Sequence, residues 1–164
     1  MNHWDRSTFL KTPHEFKVMR VRECPSPSTA IETPDQAVVY WKANIPCADW
    51  FDPSKEAFVV LVLHTRRRIL GHKLITLGTL DTCSVHPREL FRPVIAIAGH
   101  AAVLAHNHPS GDPTPSEADI KVTQDLIRAG QLLKIEILDH VIVGAPTADR
   151  PRDFVSLREL GYFL

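Results

Sequence analysis

Ala101-Ala102-Val103-Leu104-Ala105-His106-Asn107-His108-Pro109-Ser110-Gly111-Asp112-Pro113-Thr114-Pro115-Ser116-Glu117-Ala118-Asp119 is the stretch around which the chain is organised. Its first five residues are an apolar run, and such a run bounded by Gly and Pro reads as a buried strand. Residues i and i+2 of a strand point to the same face. His106 and His108 therefore look the same way at the strand's end and can share one ion. The loop that follows holds Pro109, Pro113 and Pro115, which excludes regular structure. Order returns at Ser116. Zinc prefers four tetrahedral ligands of N, S or O type, and a catalytic site leaves one position for water. His106, His108 and one carboxylate fill three positions, and Asp119 is the best-placed carboxylate. The same residues admit a plainer reading. Ser116-x-x-Asp119 is a capping box, with Ser116 as N-cap and Asp119 reaching back to its amide. An acidic side chain also suits a helix N-terminus. The two readings are compatible, because a capped turn holds Asp119 rigid and a ligand needs rigidity.

Outward from this stretch, bulk properties bound the answer. The 164 residues suit one domain able to bury a core, and 44% apolar with 23% charged residues is ordinary globular composition. Net charge is zero, which argues against a strongly basic nucleic-acid-coating surface though not against a local patch. Cys24, Cys47 and Cys83 are odd in number and lack C-x-x-C spacing, so neither a disulfide framework nor a Cys-rich zinc site is expected. A reducing, cytoplasmic compartment is the simplest expectation. Residues 1–20 show no apolar core of a signal peptide. The longest apolar run, Ala57 to Leu63, is far short of a membrane span.

Residues 1–14 read as a loose arm. Phe16 to Arg22 alternates apolar and charged residues and reads as a half-buried strand. Cys24 to Pro34 is a proline-bearing connector, and Thr33 is a suitable N-cap with Pro34 at the first helical position. Ala37, Val38, Tyr40 and Trp41 form one side of a helix that must stop before Pro46. Lys55 to His64 is a buried strand, Arg66-Arg67-Arg68 a turn, and Ile69 to Thr79 the returning strand of an antiparallel hairpin. The arginine run reads as a solvated turn tip rather than a phosphate site. Pro87 opens a helix carrying Leu90, Phe91, Val94, Ile95 and Ala98, with Pro93 expected to kink it and Gly99 to end it. A helix from Glu117 has Ile120, Thr123, Leu126 and Ile127 inward and Gly130 as C-cap. Leu133 to Val143 and Phe154 to Leu157 are further strands. This order gives an α/β or α+β sandwich, with helices against a mostly antiparallel sheet.

The wording of the chain also carries a family resemblance. His106-x-His108, Ser116 and Asp119 match the JAMM signature of the JAB/MPN metalloprotease-like domain. AHNHPSGDPTPSEAD, VHPRELF, DHVIVG and SLRELGYF resemble the RadC family, historically labelled DNA repair. The likeness divides the chain into an arm and connector over 1–32 and a RadC-like JAB/MPN domain over 33–164. It implies an α+β fold with a curved, mostly antiparallel sheet flanked by helices, in the layer architecture shared with cytidine-deaminase-like domains. It implies one zinc held by His106, His108 and Asp119 with water as fourth ligand. It places a general acid/base glutamate at Glu56, which spacing alone would not find, and gives Ser116 to oxyanion stabilisation. Nothing before Thr33 resembles the helix-hairpin-helix-like region common in RadC proteins, and Pro93 is a further departure.

The chemistry so implied is zinc-assisted hydrolysis of an amide bond in a peptide or isopeptide substrate. The competing reading is a non-hydrolytic module binding protein or nucleic acid, the latter through Arg66, Arg67, Arg68, Lys73, Arg88 and Arg92. A zinc deaminase would want H-x-E with P-C-x-x-C, and neither is present. Asp112 and the Asp139-His140 pair read as structural hydrogen-bonding groups, and Cys83 as a buried inert thiol.

Overall fold

The computed structural model describes residues 17–19, 21–24, 30–78 and 85–163. Among these described residues, three helices and five strands follow in the order α1 (Pro34–Asn44), β1 (Glu56–Leu63), β2 (Ile69–Gly78), α2 (Pro87–Ala96), β3 (Ala101–Asn107), α3 (Glu117–Leu133), β4 (Glu136–Val143) and β5 (Phe154–Ser156). The strands form one sheet in the order β2-β1-β3-β4-β5. Only the β3–β4 pairing is parallel. The fold is therefore the α+β arrangement the sequence indicates, with a mostly antiparallel sheet between helices.

The sheet is covered on both faces, which is why β1 is a continuous apolar run with every residue buried. On one face Ala57, Val59, Leu61 and Leu63 meet Val38, Tyr40 and Trp41 of α1. On the other, Phe58, Val60 and Val62 join Leu90, Phe91 and Val94 of α2 and Leu126 of α3. Burying a side chain of this size stabilises the fold by roughly 1.5–3 kcal/mol. The two central strands therefore anchor the platform on which the histidines stand. The register pairs Phe58 with His106 at one end and Leu63 with Ala101 at the other. The exposed Arg66-Arg67-Arg68 turn joins β1 to β2 beyond Leu63, so it lies at the end away from His106.

Several boundaries differ from the sequence reading. Helix α3 does not end at Gly130 but runs on to Leu133. It closes at Lys134, whose φ is 57°, with the Ile135 amide donating to the Gly130 carbonyl at 2.9 Å. Gly130 is small because space requires it: a Cβ there would lie 2.5 Å from the Ile135 carbonyl oxygen and 3.2 Å from Phe91 Cζ. Strand β4 consequently begins at Glu136 rather than Leu133. Helix α2 accommodates Pro93 and ends at Ala96, before Gly99; Ile95 on its outer side is 57% exposed rather than part of the core. Of the expected strand at Phe16–Arg22, the described residues 17–19, 21 and 22 are exposed and join no ladder, and alternation without a partner edge does not make a strand. Phe16 and Arg20, the arm at 1–14, Thr79 and Cys83 lie outside the described residues. No described helix is long and apolar enough to cross a membrane.

Candidate metal centre

Strand β3 delivers His106 and His108 as its alternation requires, and the first turn of α3 brings Asp119 to them. His106 Nε2 is 3.0 Å from His108 Nε2 and 3.3 Å from Asp119 Oδ1, and His108 Nε2 is 3.6 Å from Asp119 Oδ2. Two ligands each about 2.0–2.1 Å from a tetrahedral zinc are about 3.3–3.4 Å apart. The triangle is therefore of the size that one small cation spans, and these three residues are, among the described residues, the group whose donor atoms could hold a metal ion. The donor set, two imidazoles and one carboxylate, suits zinc and leaves a fourth position open.

Each of the three side chains is held from behind. His106 is fully buried, stacked on Phe58 with ring planes 10° apart. Its Nδ1 faces His140 Nε2 at 2.8 Å, and His140 Nδ1 faces Thr123 Oγ1 at 2.6 Å. His108 Nδ1 donates to the Asp112 carbonyl at 2.7 Å. That carbonyl lies in the proline loop, which Arg150 ties down through Asp112 Oδ1 at 2.9 Å and the Gly111 carbonyl at 2.8 Å. Asp119 is fixed by the capping box: its Oδ2 accepts from the Ser116 amide at 2.8 Å and the Ser116 hydroxyl at 2.6 Å. The cap occupies Oδ2, while Oδ1 is the oxygen nearest His106, so capping and metal-ligand geometry coexist in one carboxylate.

Glu56 points into the same site. Its side chain is buried, and Oε1 lies 4.0 Å from His106 Nε2, outside the tighter triangle. What holds it is Asn107, between the two histidines. Regular β1–β3 pairing stops at Phe58 and His106. Beyond it the Asn107 side chain replaces the ladder: Oδ1 accepts from the Ala57 amide at 3.0 Å and Nδ2 donates to the Lys55 carbonyl at 3.0 Å. One amide group thus grips the backbone on both sides of Glu56.

The electrostatics follow from burial and from four titratable groups in one place. Burial draws His106 down to about 4, and the nearby His108 adds to this against the pull of Asp119. Burial also lowers His108, but its hydrogen bond to Asp119, the Asp112 carbonyl and the charges of Asp119 and Glu56 outweigh it, so His108 ends raised. Burial acts to raise Asp119, yet His108, His106 and Ser116 hold it well below the usual carboxylate range. Glu56 is raised by burial and by the Asp119 charge, with His108 opposing. Two imidazole nitrogens and a carboxylate this close need a positive centre between them. A proton on His108 can supply it, and so can a bound cation.

The structure places His106, His108, Asp119, Ser116 and Glu56 in one region. The sequence alone does not point to Asn107 or Thr123. Asp139 and His140 do form the structural hydrogen-bonded pair expected of them, but through the backbone: the Asp139 carboxylate accepts from the His140 amide at 2.7 Å and from Ser156 Oγ at 2.7 Å, while the His140 ring turns to His106. The cause is a register shift in β4: Ala102 pairs with Ile137 but Val103 with Asp139, leaving Leu138 over. A bulge of this kind re-aims the following side chains. Ile137 and His140, three residues apart, consequently share the face that regular alternation would separate. Asp112 contributes its carbonyl to His108 and its carboxylate to Arg150 and Thr114. Arg66, Arg67 and Arg68 take no part in the site; Lys73, Arg88 and Arg92 are exposed.

Residues 31–162 match the family described as RadC-like JAB domain. A UPF0758 protein of Chlorobaculum parvum is 44% identical over 125 residues, which covers 76% of this chain and 54% of that protein. A UPF0758 protein of Chlorobaculum tepidum is 51% identical over 105 residues, covering 64% of this chain and 45% of its own length. A Bacillus cereus UPF0758 protein is 45% identical over 108 residues, covering 66% and 45%. The chain thus spans about half the length of these curated relatives.

Proposed function

This chain belongs to the RadC-like JAB domain family, and from that premise we propose that it is a zinc-dependent hydrolase of amide bonds, a metallopeptidase or isopeptidase. The supporting observation is the convergence of His106 Nε2, His108 Nε2 and Asp119 Oδ1, with a buried carboxylate, Glu56, alongside but outside the triangle. Zinc held by those three residues would supply Lewis acidity, polarising a carbonyl and lowering the pKa of a water to about 7. Glu56 takes the proton from the attacking water and returns it to the leaving nitrogen. Its raised pKa fits both halves, because a general acid/base works best when its pKa approaches the operating pH. Asn107 keeps that carboxylate at its station. The Ser116 hydroxyl in this arrangement donates its hydrogen bond to Asp119, so its first task is to orient the ligand. Donation to a developing oxyanion requires it to rotate away from Asp119.

The test is metal content followed by turnover. Purified protein should carry about one zinc per chain, and a His106→Ala/His108→Ala variant should carry none. Fluorogenic peptides and lysine-branched isopeptides are the first substrates to screen. Glu56→Gln should retain zinc and lose turnover. Metal-free protein that neither binds added zinc nor gains thermal stability from it would overturn the proposal.

A further inference from the structure

We infer that Thr123 and His140 form a positioning relay that fixes which nitrogen of His106 carries the proton, leaving His106 Nε2 bare toward the site. The inference rests on the metal-centre reading and deepens it. Thr123 Oγ1 lies 2.5 Å from the Asp119 carbonyl oxygen, which can only accept, so the hydroxyl hydrogen is committed there. What Thr123 offers His140 Nδ1, at 2.6 Å, is a lone pair. His140 Nδ1 therefore carries hydrogen. A neutral imidazole has one N–H, and with it on Nδ1 the fully buried His140 Nε2 is bare. Bare His140 Nε2 faces His106 Nδ1 at 2.8 Å, so His106 Nδ1 is the donor. His106 Nε2 is left with its lone pair, aimed at His108 and Asp119.

The relay is a closed device. It starts on the backbone of one metal-facing residue, Asp119, and ends on the ring of another, His106. Thr123 stands four residues after Asp119 in α3, one helical turn on, where its hydroxyl reaches the Asp119 carbonyl. His140 reaches it from β4 because of the bulge at Leu138. Helix, strand and bulge thus set a proton position that a free histidine would leave open. The partner that orients a metal-bound histidine typically matters 10–100-fold in metal affinity.

The experiment reads the proton and the metal separately. Long-range 1H–15N correlation spectra of the metal-free protein report the tautomer of each histidine. Zinc affinity is measured by competition with a chromophoric chelator. In the wild type His106 should be the Nδ1–H tautomer. Thr123→Val leaves His140 free to put its proton on Nε2, so His106 should shift toward Nε2–H and zinc should bind roughly tenfold or more weakly. Thr123→Ser should restore both readouts. His140→Leu should weaken zinc similarly, while His140→Gln, whose amide can accept on one side and donate on the other, should recover part of the loss. Wild-type His106 found as Nε2–H would overturn the relay. So would Thr123→Val with unchanged tautomer and zinc affinity. A wild type with the Nδ1–H tautomer that binds no zinc supports the proton order and overturns the zinc hydrolase reading instead, so the two failures are distinct.

Discussion

Replacing Ser116 with alanine separates the two tasks that meet in its hydroxyl. The substitution removes the acceptor that caps the Asp119 amide at 3.2 Å and the donor to Asp119 Oδ2 at 2.6 Å; the Ser116 backbone bond to Oδ2 at 2.8 Å survives. Losing an N-cap costs about 1 kcal/mol. A hydrogen bond to a carboxylate contributes about 1.5–3 kcal/mol when desolvated, and at this half-exposed helix end roughly 1 kcal/mol is a fair share. The expected loss is about 2 kcal/mol, or about 4–8 °C in Tm for a domain of this size. It should appear in metal-free protein, because the cap exists before any ion arrives. Zinc affinity should also weaken, by up to about tenfold, since Asp119 keeps only one of its two tethers to Ser116. The assays are thermal unfolding in chelator and zinc competition, with Ser116→Thr as the variant that keeps the hydroxyl. A Ser116→Ala protein with wild-type Tm and zinc affinity but no turnover would refute the positioning role and assign the hydroxyl wholly to the reacting substrate.

Asn107→Ala should leave zinc affinity near wild type, because both histidines remain on β3, yet lower kcat sharply as Glu56 loses its grip. Two backbone groups left unpaired should also cost roughly 1–3 kcal/mol each where burial keeps water out; unchanged kcat in a zinc-loaded variant would count against the clamp. Gly144→Ala places a Cβ against the Gly111 carbonyl and 2.8 Å from Pro113 Cδ, so the loop carrying Asp112 must move. A loss of roughly 1–3 kcal/mol by denaturant unfolding, with weaker zinc binding through His108, is expected; unchanged values for both would refute the packing account. In metal-free protein the depression of His106 from 6.5 to about 4 means the unfolded chain binds more protons between those values, so stability falls as pH drops. That is about 3 kcal/mol at 1.36 kcal/mol per pKa unit, absent from His106→Gln. His108, raised, acts with the opposite sign: its contribution is present below its unfolded pKa and lost as pH rises through the folded one. Parallel stability–pH curves for wild type and His106→Gln, measured in chelator, would refute the assignment.

Features set by near neighbours along the chain are legible as pattern. The apolar run Ala57 to Leu63 is a strand because only a doubly covered position tolerates it. His106 and His108 share a face because the strand period is two, and Ser116 caps the Asp119 amide because Asp119 stands three positions after it at a helix start. The family likeness added Glu56, which local pattern could not, since it reaches His106 across the β1–β3 pairing. Only the tertiary structure decided the rest. Asn107 points to the backbone around Glu56 because the ladder ends one pair earlier, and that ending is a matter of register between strands 50 residues apart. His140 faces His106 because Leu138 is left over when β4 pairs with β3; without that bulge, alternation would turn the ring toward α1. Arg150 secures the loop of Asp112 from 38 residues away. Periodicity and capping are encoded within a few residues and survive in the sequence as pattern. Register, bulges and cross-strand hydrogen bonds come from packing whole elements together, and no short window of sequence contains them.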